Sequence, residues 1–128
     1  MSRIDTHEGL RALYRQPSAL AAEKSVDRID AETARFLSLC PFAVLSTAGS
    51  DGSVDASPRG GPPGFIKVLD ERHVALPDLG GNNRLDSFEN VIENPHAGLL
   101  LIVPGKEDTV RNNGPAYLSV DPDLLASF

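Results

Sequence analysis

Ala97-Gly98-Leu99-Leu100-Leu101-Ile102-Val103 is a continuous apolar run of strand length, stopped by Pro104-Gly105. It is too short to span a bilayer and lacks the alternation of a half-exposed strand, so it reads as a strand buried on both faces at the centre of a sheet. The residues before it turn helical. From Asn83 to Asn94, the side chains of Leu85, Phe88, Val91 and Ile92 fall on one side, Asn83 stands as N-cap with Asp86 three places on, and Asn94-Pro95 ends the segment.

Further towards the N-terminus the period shortens to that of strands. Phe65 to Leu69 and His73 to Leu76 flank Asp70-Glu71-Arg72, a polar turn of hairpin length. Gly60-Gly61-Pro62-Pro63-Gly64 cannot continue a central strand and is expected to be a loop. Phe42 to Thr47 is a short apolar strand, and the turn-rich Ala48 to Ser53 sends the chain back. On the returning strand Val54 and Ala56 face one side, with Asp55, Ser57 and Arg59 on the other. Beyond the central run, Thr109 to Arg111 and Ala116 to Val120 are expected to pair across Asn112-Asn113-Gly114, and DPDLLASF closes with a capped short helix.

Residues 1–40 are read as helical. Thr6 to Arg15 carries Leu10, Leu13 and Tyr14 at helical spacing before Pro17, and a stronger helix starts at Asp30 as N-cap and buries Phe36, Leu37 and Cys40 until Pro41. There are no internal repeats. The pattern predicts one α+β domain over residues 1–128, with N-terminal helices, one inserted helix and short antiparallel strands forming a small barrel.

Composition narrows the function classes. A chain of 128 residues that is 41% hydrophobic has enough for a core, and a formal net charge of −6 argues against non-specific nucleic-acid binding. The single cysteine, Cys40, excludes an intrachain disulfide framework and a Cys-based zinc cluster, and suits a reducing compartment. His7, His73 and His96 are scattered without metal-ligand spacing, so no metal site is expected. The N-terminus lacks the apolar run of a signal peptide and no segment is long enough to cross a membrane, so the protein is expected to be cytoplasmic.

Two places favour an anion. Gly80-Gly81-Asn82-Asn83-Arg84 opens the inserted helix, where unpaired backbone N–H groups and the positive end of the dipole gather, and Arg59 precedes flexible Gly60-Gly61. The plain alternatives are a turn with an N-cap in the first case and a solvated loop arginine in the second. Asp55 and Asp78 are isolated carboxylates, more often caps or surface groups than an acid/base pair, and neither is assigned catalysis.

The motifs Ser57-Pro58-Arg59-Gly60, PPGFIKVLDE (62–71), PDLGGNNRLDS (77–87) running on to Pro95, and GLLLIVPG (98–105) together resemble the pyridoxamine 5'-phosphate oxidase-like, FMN-binding split-barrel family, in particular a branch with SPRG and PD-x-x-GNNRLDS signatures. The resemblance runs from about Phe36 to Tyr117. It implies a flavin reductase-like split β-barrel of six strands, a homodimer, and FMN held in clefts between the subunits. Carried over by position, it places Arg59 where the family grips the flavin phosphate and Arg84, with Asn82 and Asn83, in a second phosphate-binding segment. Ser57 would add a hydroxyl, and Pro77 and Asp78 would lie beside the ring or ribityl chain. Lys67 is a further candidate by alternation from Phe65, an alternation that equally leaves it in solvent.

The expected function is that of an FMN-dependent oxidoreductase acting on a small molecule, with NAD(P)H as a possible donor. The alternative is a non-catalytic dimer that binds FMN or another phosphorylated ligand. Many relatives extend past the position of Phe128, and that portion completes their barrel and flavin pocket, so a truncated C-terminus is expected here. Gly61 stands where an acidic residue often follows SPRG, and Pro115 where a polar one continues the strand.

Overall fold

The computed structural model describes residues 2–14, 26–78 and 85–128. Its elements run α1 (His7–Arg11), α2 (Ala31–Leu39), β1 (Phe42–Ala48), β2 (Val54–Gly60), β3 (Lys67–Asp70), β4 (His73–Ala75), α3 (Asp86–Glu93), β5 (His96–Ile102), β6 (Thr109–Pro115) and α4 (Pro122–Ala126). This is an α+β arrangement. The strands form an antiparallel four-stranded sheet in the order β2-β1-β5-β6 and a separate β3-β4 hairpin, with no closed barrel among the described residues.

Leu99 and Leu101 of the apolar run are buried, as expected of a strand flanked on both sides, while Leu100 and Ile102 on the opposite face are only half-buried. The register sorts the inner face into three cross-strand rows: Arg59-Ala43-Leu101-Val110, Ser57-Leu45-Leu99-Asn112 and Asp55-Thr47-Ala97-Gly114. Residues directly opposite one another share a face, so the first two rows deliver Ala43, Leu45, Leu99 and Leu101 to the core. Leu37 and Cys40 from α2 and its C-terminus, with Phe65 and Ile66 ahead of β3, close the same cluster. Val74 and Leu76 pack against it from the hairpin.

Local chemistry explains most boundaries. The Asp30 side chain accepts a 2.8 Å hydrogen bond from Thr33 N–H and starts α2. Thr6 caps α1 in the same way, and α1 ends at Arg11 rather than Arg15. The β1-β2 turn places Gly52 at φ 86°, a conformation that favours glycine, and Asp51 braces it by accepting from Ser53 N–H at 2.9 Å. Gly64, at φ 83°, donates to Cys40 O and leaves only 3.1 Å between a would-be Cβ and the Ser38 carbonyl, which ties the loop after β2 to the end of α2.

Two expectations are corrected. Asn112-Asn113-Gly114 is not a turn but the second half of β6, which pairs with β5 without a break from Ile102↔Thr109 to His96↔Pro115, and residues 116–120 form no strand. None of the three has positive φ, which the tight hairpin turn requires. Pairing along the whole length of β5 outweighs the local turn preference, and Pro115 is tolerated because β6 is an edge strand. The inserted helix begins at Asp86 with Leu85 in the N-cap position and no side-chain cap hydrogen bond, while Asn83, the expected N-cap, lies outside the described residues. Its covered face is Ser87 and Val91 with half-buried Phe88 and Asn90, while Leu85 and Ile92 are exposed. Among the described residues no helix is long and apolar enough to cross a membrane.

Candidate functional site

β2 is amphipathic in reverse. Its inward residues are Asp55, Ser57 and Arg59, all half-buried, and its outward residues are Val54, Ala56, Pro58 and Gly60, all exposed. A strand that turns a carboxylate, a hydroxyl and a guanidinium towards the interior forgoes hydrophobic stabilisation and must satisfy each polar group there. The side chains opposite make room: fully buried Ala43 faces Arg59, and Thr47 faces Asp55.

Helix α3 supplies the partners. Ser87 Oγ, in the first turn of the helix and 5% exposed, donates to Asp55 Oδ2 at 2.9 Å and lies 3.3 Å from Ser57 Oγ. Arg59 Nε donates to Ser57 Oγ at 3.2 Å. The Phe88 ring supports the guanidinium, with Arg59 Cζ 5.6 Å from its centroid, at the outer part of cation–π range. Further along α3, Asn90 Nδ2 donates to Thr47 Oγ1 at 3.0 Å, and Glu93 accepts from the Ser50 backbone N–H at 3.2 Å and from its hydroxyl at 3.3 Å. The helix is thus pinned to the β1-β2 hairpin at both ends.

Among the described residues, Arg59 uses only Nε, and both terminal nitrogens remain for a ligand. Those two nitrogens form a planar fork that matches two oxygens of a phosphate or carboxylate. The first turn of α3 carries Asp86 and Glu89, so its dipole already meets carboxylates. A shallow groove between that turn and the start of β2, lined by Ser53, Val54, Asp55, Asp86, Glu89 and Asn90, is acidic and unsuited to a phosphate. Within this cluster the group suited to an anion is Arg59.

The expected site residues divide into three groups. Ser57 and Arg59 come together on the inner face of β2. Lys67 is half-buried on the separate hairpin, with Nζ 4.5 Å from the centroid of the Phe128 ring; Pro77, half-buried, and Asp78, exposed, follow β4. Asn82, Asn83 and Arg84 lie outside the described residues. Sequence reasoning weighed Asp55 but gave it no role, read Phe88 only as part of the helix's apolar side, and did not single out Ser87. The alternation that grouped Asp55 with Ser57 and Arg59 was a usable signal, whereas nothing local pointed Ser87 at β2, because that contact spans 32 positions.

The described fold is that of an α+β protein built on antiparallel strands. The chain belongs to the pyridoxamine 5'-phosphate oxidase family, whose model matches residues 29–128 and so spans β1 to β6. That family has the split-barrel, flavin reductase-like fold associated with FMN. Comparison with curated proteins and with solved structures gives no match.

Proposed function

We propose that the chain is an FMN-binding flavoprotein that works as a homodimer and serves as an oxidoreductase for a small molecule. The observation that carries this reading is the reversed polarity of β2, which sets Arg59 on the inner face with an aromatic support and, among the described residues, no partner on its two terminal nitrogens. FMN, when bound, supplies the electron or hydride transfer. Arg59 would hold its phosphate through the terminal nitrogens, with Arg84, Asn82 and Asn83 contributing from the segment before α3. Ser57 keeps the guanidinium in place. Lys67, Pro77 and Asp78 would approach the ring or ribityl chain from the hairpin side, with NAD(P)H as the candidate electron donor to be tested.

The homodimer draws support from the outer face of the four-stranded sheet. Val54 is 83% exposed and Phe42, Val44, Leu100 and Ile102 are only partly covered, an apolar surface of the kind a second copy buries, completing the split barrel. A monomer by sedimentation equilibrium under flavin-binding conditions would remove the dimer from this reading.

Arg59→Ala should weaken FMN binding by about tenfold to a hundredfold, the loss expected for a charge-assisted hydrogen-bonded contact, and leave riboflavin affinity unchanged. Flavin fluorescence quenching measures both. Equal loss for the two ligands would show that Arg59 supports the pocket and does not read the phosphate.

A second reading is a dimer that binds FMN, or another phosphorylated ligand, without turnover. It is favoured by the engagement of Asp55, the carboxylate of the Arg59 cluster, with the Ser87 hydroxyl. Reduction of bound flavin by NAD(P)H with transfer to an acceptor decides for the enzyme, and flavin that binds but is never reduced decides for the binder.

A further inference from the structure

The hydrogen bonds from Arg59 to Asp55 can run in only one direction. A guanidinium Nε–H only donates and an ionised carboxylate only accepts, so the two serines between them have their protons assigned by the ends of the chain. Ser87 gives its hydroxyl proton to Asp55 Oδ2 at 2.9 Å. Its oxygen is then the acceptor for Ser57, 3.3 Å away, and the Ser57 oxygen is left to accept from Arg59 Nε–H at 3.2 Å. Every donor in the sequence Arg59, Ser57, Ser87, Asp55 therefore points towards Asp55.

We infer that Asp55 is a positioning residue for the anion site: by fixing the hydroxyl of Ser87 and through it that of Ser57, it holds Arg59 Nε inward and turns the two terminal nitrogens to the ligand. The inference rests on the FMN reading above and deepens it. Asp55 itself does not touch the ligand in this arrangement. Without it the serine hydroxyls lose their common orientation, the Ser57 hydroxyl can turn its proton towards Arg59 Nε, and the guanidinium is released to other rotamers over Phe88. Hydrogen-bonded chains of this kind gain from cooperativity, and a guanidinium with one hydrogen bond gains from having that bond oriented.

The sign of the effect separates this role from simple electrostatics. A carboxylate near a phosphate site repels the ligand, so removing it on electrostatic grounds alone would tighten FMN binding. A positioning role predicts the reverse. Asp55→Ala should weaken FMN by about tenfold while riboflavin, which lacks the phosphate, is unaffected and serves as the control for an intact fold. Asp55→Asn, which keeps an acceptor for the Ser87 hydroxyl, should restore most of the affinity. Ser57→Ala and Ser87→Ala should each produce the Asp55→Ala loss, and combining either with Asp55→Ala should add little, because all three interrupt one chain.

A measurement without ligand keeps the test independent of flavin. In ¹⁵N-resolved NMR of the free chain, the Arg59 Nε–H resonance should be protected from exchange with water in the wild type and in Asp55→Asn, and lose that protection in Asp55→Ala. Tighter or unchanged FMN binding in Asp55→Ala, or an unprotected Arg59 Nε–H in the wild type, overturns the inference. If the wild type binds FMN no better than riboflavin, the flavin reading of the site fails with it, a result distinct from a wild type that discriminates and an Asp55 variant that does so equally well.

Discussion

Asn112 stands in an inner-face row whose other central members are Leu45 and Leu99, and its Nδ2 is buried with no hydrogen-bond partner among the described residues. A buried donor left unpaired carries its desolvation cost with no return. Asn112→Val, which suits a strand and removes the amide, should raise stability by about 1 kcal/mol. The urea midpoint of the isolated chain reads this directly, and a lowered midpoint would mean that the amide has a partner in the assembled protein. Asp30 shows the opposite case, a polar side chain fully used. Hydrogen bonding from Thr33 N–H holds its carboxyl below the ordinary 3.8, with desolvation opposing. A carboxylate with a lowered folded-state pKa stabilises at neutral pH and above, and that contribution fades as pH falls from about the ordinary value through the folded one. Thermal melts across the acid range should therefore lose part of their pH dependence in Asp30→Ala and in Asp30→Asn, with Asn retaining more of the neutral-pH melting temperature because it still caps α2.

At the scale of elements, what could be read from the sequence depended on whether local preference and long-range pairing agreed. Both agree for α2, where cap, apolar face and proline stop coincide, for β1, legible as a short apolar strand, and for β2, whose alternation set Asp55, Ser57 and Arg59 on one face and Val54 and Ala56 on the other. They conflict at Asn112-Asn113-Gly114, where a strong turn signal gives way to pairing with β5, a contact that no local window contains. The site divides along the same line. Ser57 and Arg59 were legible by alternation, but the identity of their partners depended on how α3 lands on β2, which follows from the three-dimensional packing of Ser87 and Val91 beneath it. The β5-β6 pairing also makes a testable demand on the outer face. Gly98 opposes Asn113, and a Cβ on Gly98 would stand 2.7 Å from Asn113 Oδ1. Asn113 is exposed and Oδ1 is the far end of its side chain, so a turn of that side chain relieves the contact and Gly98→Ala should change stability by less than about 0.5 kcal/mol in urea unfolding. A loss above about 1 kcal/mol would mean that the Asn113 side chain cannot turn away.

For the whole molecule, a formal net charge of −6 leaves local geometry to overcome the general repulsion of a phosphate, which is why one well-held guanidinium on an inward strand matters more here than overall composition. Compactness also makes one side chain a natural reporter. Cys40, the single cysteine, is fully buried, with Sγ 3.0 Å from Phe42 O and 3.4 Å from Ile102 O at the junction of α2 with β1 and β5. A water-soluble thiol reagent can reach it only when that junction opens, so the rate of alkylation under native conditions tracks the rare open population without any engineered probe. FMN that binds only the closed form should slow alkylation in proportion to its saturation, and Arg59→Ala should need about tenfold to a hundredfold more FMN for the same slowing. A single untouched sulfur thereby becomes a gauge of how tightly the whole chain is shut.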